Sequence, residues 1–216
     1  LEISRSSRSA PSPRAARRSE PEHDDAIANA DAALSIIDAA GVIKLTPVTT
    51  ERPDVPLIAD ERALLRANLD YHRATLAWKC DDLSDDDLRM QASKPSALSL
   101  LGLVRHMAEV ERTWFRKTVN GERHLPNVWS HADDYQTAYD PTGCTRDEAF
   151  TAWRTEVEHS RRIEHAAPSL DLVVHQPRWN ENVSLRFVML HMIHEYARHN
   201  GHADLIREAI DGTVGA

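Results

Sequence analysis

The segment His191-Met-Ile-His-Glu-Tyr-Ala-Arg-His-Asn-Gly-His202 gathers four of the chain's 12 histidines around one carboxylate. On a helix each residue advances about 100°, so positions 188, 192, 195, 199, 203, 206 and 210 fall in one sector. Those positions hold Val188, Met192, Glu195, His199, Ala203, Ile206 and Ile210. An apolar stripe suited to a core is thus interrupted at its centre by Glu195 and His199. Burying a carboxylate without a partner is costly even after the surroundings relax. A metal ion removes that cost, and a carboxylate and an imidazole four residues apart on one helix face can reach one cation. The pattern is not the H-E-x-x-H arrangement, because His194 and His199 are five apart and His194 points away from the sector.

Two donors do not complete a transition-metal site. His106 stands at the edge of the stripe formed by Leu103, Met107, Val110 and Trp114, His72 lies within an earlier apolar stripe, and His202 follows His199 by one turn. Three protein ligands from two helices, with a position left for water or substrate, is the pattern of a catalytic zinc site. Simpler readings stand beside it. A lone histidine on an apolar face can be a hydrogen-bonded core residue, and Glu195 with His199 could form an internal ion pair with Arg73 or Arg105. His124, His131, His159, His165, His175, His191 and His194 read as solvated or structural, and Trp114, Phe115, Phe150 and Trp153 as core.

Four helical patterns can position these residues. The first opens at Asp60 and runs to about Asp81, with Leu65, Leu69, His72, Leu76 and Cys80 on one face. The second has Ser99 as N-cap and Gly121 as its stop. The third starts with the capping-box string Thr145-Arg146-Asp147-Glu148 and turns Phe150, Trp153 and Val157 inward. The fourth has Ser184 as N-cap and ends at Gly212. No convincing strand alternation separates them, so an all-α bundle is expected. The connection from Asn120 to Cys144 is long, and loops of that length are often functional.

Composition narrows the classes. Of 216 residues, 41% are hydrophobic and only 7 are glycine, which suits a helical globular core. A formal charge of −8 does not mark a nucleic-acid surface, and two distant cysteines, Cys80 and Cys144, cannot build a disulfide framework or a four-thiolate site. No apolar run is long enough for a membrane span. Residues 1–56 read as an extension. Its first 22 residues hold Ser, Pro and Ala, with Arg5, Arg8, Arg14, Arg17 and Arg18, and little to bury, so disorder is expected. A short helix fits 25–41, and the run from Pro47 to Pro56, with Pro53 and its acidic neighbours inside it, reads as the linker before a core domain at 57–216. With no apolar signal region before residue 22, a cytoplasmic location is expected.

The strings LDYHRATLAWKCDDLSDDDL (69–88), SALSLLGLVRHMAEVERTWF (96–115) and SLRFVMLHMIHEYARHNGHADLIREAIDG (184–212) resemble the DinB-like superfamily. The branch they are most similar to is the one related to mycothiol-dependent maleylpyruvate isomerase. The resemblance spans 57–216 and implies an up-down-down-up four-helix bundle, commonly dimeric, with a divalent metal at its centre. In that branch one histidine of the second helix joins a Glu-x-x-x-His pair on the last, which here gives His106, Glu195 and His199. Zinc suits this mixed donor set, and nickel, manganese or iron are permitted by it. The implied chemistry is activation of a low-molecular-weight thiol of the mycothiol type, for S-transfer to a small electrophile or for isomerisation. The alternative is a non-catalytic metal-binding or stress-response bundle whose structural metal takes a fourth ligand from His72 or His202. Neither nucleic acid nor membrane is expected as a partner.

Overall fold

The computed structural model describes residues 51–131 and 134–215. The extension up to residue 50, with the helix expected over 25–41, lies outside the described residues. The described chain is mostly helical: α1 (Glu61–Lys79), α2 (Asp85–Arg89), α3 (Leu100–Glu111), α4 (Arg146–Ala166) and α5 (Leu185–Asp211). No helix among them is long and apolar enough to cross a membrane. α1 packs on α5 and α3 on α4, and α3 also touches α5.

The expected caps form. Asp60 accepts from the backbone N–H of Ala63, Ser99 from Gly102 and Ser184 from Phe187. Thr145 and Glu148 cap each other reciprocally, and Gly212 ends α5 at φ 79°, where a side chain would be strained. Leu65, Leu69, Leu76, Cys80, Leu103, Met107, Phe150, Trp153, Val157, Val188, Met192 and Ile206 meet in one core.

Two features depart from the sequence reading. Beyond Glu111 the second helix widens into a π-helical stretch, Arg112–Val119, closed by bonds such as Asn120 N–H to the Phe115 carbonyl at 2.8 Å. A hairpin also stands where no strand was expected. β1 (Val173–Gln176) pairs antiparallel with β2 (Glu181–Ser184), Val173 opposite Ser184 and Gln176 opposite Glu181. Its base is tied to the start of α5 by Leu185 N–H to the Leu172 carbonyl at 2.9 Å. Its inner end is pinned to the π-helical stretch, where buried Gln176 donates to Thr118 Oγ1 at 3.1 Å.

A buried polar relay joins the four long helices. Trp153 Nε1 of α4 donates to Tyr196 Oη of α5 at 2.8 Å, and that hydroxyl donates to Glu111 Oε1 of α3 at 2.7 Å. Glu111 receives a two-pronged bond from Arg73 of α1 at 2.8 and 2.9 Å. Breaking a buried charge pair strands its partner, so Glu111→Ala should lower stability by about 3–5 kcal/mol. Glu61→Ala, which removes an exposed partner of Arg186, should cost at most about 1 kcal/mol. Urea unfolding of both variants checks this, and equal midpoints would show that the relay does not clamp the helices.

Candidate metal centre

α5 carries Glu195 and His199 one turn apart, and α3 brings His106 against them. Glu195 Oε2 lies 3.6 Å from His199 Nε2 and 4.0 Å from His106 Nε2, and one donor atom of each residue falls within 4.8 Å of the others. Donors that share one zinc ion at roughly 2.0–2.2 Å stand roughly 3–4 Å apart, so the spacing suits a common cation. The alternative cations are engaged elsewhere. Arg73 is bound to Glu111 and Asp70, and Arg105 donates to the Ala138 carbonyl at 3.2 Å.

The polar accounting points the same way. Both ring nitrogens of His106 are buried with no hydrogen-bond partner, and 4.0 Å to Glu195 is too long for one. A buried group left unpaired costs about 1–3 kcal/mol, so this imidazole fits a metal better than it fits the apo core. The imidazoles of His106 and His199 hold the Glu195 carboxyl far below the usual carboxylate range. The residues present therefore fit a divalent cation with mixed nitrogen and oxygen donors.

Of the other histidines considered, His202 stands behind the cluster, its Nδ1 3.3 Å from His199 Nδ1, the ring nitrogen away from Glu195. That is the position of a partner that fixes a ligand's tautomer and orientation. His72 does not join the three. Its carbonyl accepts from Asn200 Nδ2 at 3.0 Å and its ring lies edge-on to Tyr71. His191, expected to be solvated or structural, lies half-buried with Nε2 3.5 Å from Glu195 Oε1.

Tyr139 is a site residue the sequence reading missed. Its ring stacks on His106 at 4.1 Å and 15°, and its hydroxyl reaches 3.4 Å from His199 Nε2. Burial, then the Glu195 charge, pushes this phenol up to about 12, so at neutral pH the hydroxyl can donate. It arrives on a 3₁₀ turn, Tyr135–Tyr139, within the long connection. α3 holds that turn and the loop leading into it by three devices on one face. Gly102 admits the backbone, since a Cβ there would meet the Tyr139 carbonyl oxygen at 2.3 Å. Arg105 binds the Ala138 carbonyl, and Glu109 Oε2 accepts the backbone N–H groups of Val128, Trp129 and Ser130 at 2.9, 2.9 and 3.2 Å.

Acid should weaken binding here in a defined direction. Burial lowers the His106 pKa from its ordinary 6.5, with the Glu195 contact only partly opposing it. The ring is thus unprotonated at neutral pH, and metal has no proton to displace from it. Affinity should hold level down to about pH 6.5 and fall below that as protons compete. Isothermal titration with zinc at several pH values checks this. Affinity climbing steeply from pH 7 to 9 would mean that a group of higher pKa is a ligand.

A mostly helical protein with an inward His–Glu–His cluster reached from a long loop is the class that this fold and site define. The profile of the mycothiol-S-transferase family matches residues 64–212, and the chain belongs to that family, whose DinB-like character the sequence resemblance anticipated. Comparison with curated proteins returns no match. Among solved structures the fold is similar to the "conserved protein of locus from Enterococcus faecalis", with a TM-score of 0.56 and 14% identity over 72% of this chain and 100% of that one. At that identity the likeness concerns the fold alone.

Proposed function

We propose that this protein is a divalent-metal-dependent S-transferase that joins a low-molecular-weight thiol of the mycothiol type to a small electrophile. His106, Glu195 and His199 hold the metal, zinc being the expected ion. The single observation that carries this is their convergence, with buried, unpartnered His106 nitrogens. A zinc ion held by these three residues would supply the Lewis acidity that favours the thiolate form of a small thiol. Family membership supports the thiol.

This chain's own groups do the rest. The carboxylate of Glu195 and two neutral imidazoles supply one negative charge, so the loaded site keeps a net positive charge that favours an anionic sulfur. His202 steadies His199 from behind. Tyr139, donating from its hydroxyl beside His199, can orient the bound sulfur. The unit responsible is the domain at 57–216, read as an up-down-down-up four-helix bundle, which the pairing of α1 with α5 and of α3 with α4 supports. The reading places it in the cytoplasm as a dimer.

Thiol consumption with an added electrophile tests the proposal. Zinc-loaded protein should consume thiol, chelator-treated protein should not, and restored zinc should return the rate. Equal rates with and without metal would refute it.

A further inference from the structure

Phe187, His191, Glu195 and His199 follow one another at four-residue steps, so they line one edge of α5. The two oxygens of Glu195 are divided between its neighbours. Oε2 stands toward the candidate ligands, 3.6 Å from His199 Nε2 and 4.0 Å from His106 Nε2. Oε1 stands toward His191, 3.5 Å from its Nε2. His191 itself is not among the residues whose donor atoms cluster for a metal. It meets the carboxylate from outside, as His202 meets His199.

An aromatic cage aims His191 at Glu195. Its ring stacks on Phe187 at 5.8 Å and 19°, lies 4.3 Å from Trp114, and meets Trp179 edge-on at 5.7 Å and 84°. Trp114 is buried and comes from the π-helical stretch. Trp179 comes from the turn of the hairpin and lies 5.1 Å from Trp114 and 5.9 Å from Phe187. That turn is tied down in its own right. Gln176 donates to Thr118 Oγ1, and Arg178 lies over the ring of Tyr135 at 4.8 Å. Rings packed around the imidazole leave it little freedom to turn away. The π-helical widening and the hairpin add no donor to the metal cluster, yet both converge on this one side chain.

We propose that His191 is a positioning residue for the metal centre: it holds Glu195 Oε1, so that the carboxylate meets the cation through Oε2 alone. This rests on the metal-dependent S-transferase reading and deepens it. With its proton on Nε2 the ring donates toward Oε1, and 3.5 Å is the outer limit of such a bond, as is common before a site is loaded. A partner of this kind raises affinity by fixing the ligand in advance, because an unheld glutamate loses its rotamer freedom only on binding. Binding through one oxygen has a second consequence. Two imidazoles and one oxygen leave a four-coordinate zinc a position for a small thiol, whereas a carboxylate supplying both oxygens would fill it. The cage thus keeps the site open by acting on Glu195 and not by touching the metal.

Metal binding by the full chain tests this without thiol or electrophile. His191→Phe keeps a ring in the cage but removes the donor, and should lower zinc affinity about tenfold by isothermal titration. His191→Gln, whose amide nitrogen falls near the place of Nε2, should recover most of that loss. The second readout is the visible spectrum of the cobalt(II)-loaded protein, which is intense for four-coordinate and weak for five-coordinate cobalt. The band should weaken in His191→Phe as Oε1 joins the metal, and return in His191→Gln. A merely structural role for the ring would not be rescued by an amide. If circular dichroism shows that His191→Phe does not fold, His191→Leu takes its place with the same expected results. Wild-type affinity and an unchanged band in the variant without a donor overturn the proposal. So does a loss that His191→Gln fails to recover, which would make the ring plain packing or a ligand in its own right. Wild-type protein that binds neither ion would refute the metal centre, and this proposal with it.

Discussion

His199→Ala should lose nearly all bound metal, with a fall in affinity greater than about 100-fold. Changes to groups that merely support a ligand already cost about 10–100-fold, and His199 is itself a proposed donor. Its Nε2 lies 3.6 Å from Glu195 and its ring is buried, so alanine leaves a gap that exposed residues cannot fill. His202→Ala should cost about tenfold by freeing the ring that it steadies. His72→Ala should retain metal, because that ring packs away from the cluster on Tyr71. Metal content per chain after dialysis, with circular dichroism as a check on folding, reads all three. Full retention of metal in His199→Ala would remove this residue from the site.

S-conjugate formation should survive Cys80→Ser and Cys144→Ser and fall at least about 100-fold in His106→Ala. Cys80 caps the end of α1, fully buried, and burial pushes its thiol up to about 12. Cys144 is buried too, its Sγ 3.4 Å from the Thr145 carbonyl that it faces. Neither is an exposed thiol in an electropositive setting, which a reactive cysteine needs. His106 stands in the other position, inward on α3 and stacked beneath Tyr139. Activity that followed either cysteine instead would mean the protein supplies its own nucleophile.

The sequence revealed α5's part of the site because a strong apolar period made Glu195 and His199 conspicuous. His106 sits at the margin of its stripe, half-buried, and periodicity alone left it undecided; the family resemblance selected it. His191 lies about 40° from Glu195 on the same wheel, so its contact with that carboxylate was legible, although the sequence reading left this residue as solvated or structural. Tyr139 could not be found by period. Its place depends on Gly102, Arg105 and Glu109 gripping a loop tens of residues away in sequence. The hairpin escaped because its strands, Val-Val-His-Gln and Glu-Asn-Val-Ser, are four residues each and mostly polar. The π-helical stretch has no composition of its own, since Arg112–Val119 continues the pattern of α3 with one extra residue per turn.

X-ray absorption at the zinc edge, on wild-type protein loaded with one equivalent, tests the central claim most directly. The predicted spectrum has two imidazole nitrogens and a carboxylate oxygen from the protein, and adding thiol brings in one sulfur neighbour. A shell of four protein ligands that admits no sulfur would contradict the account.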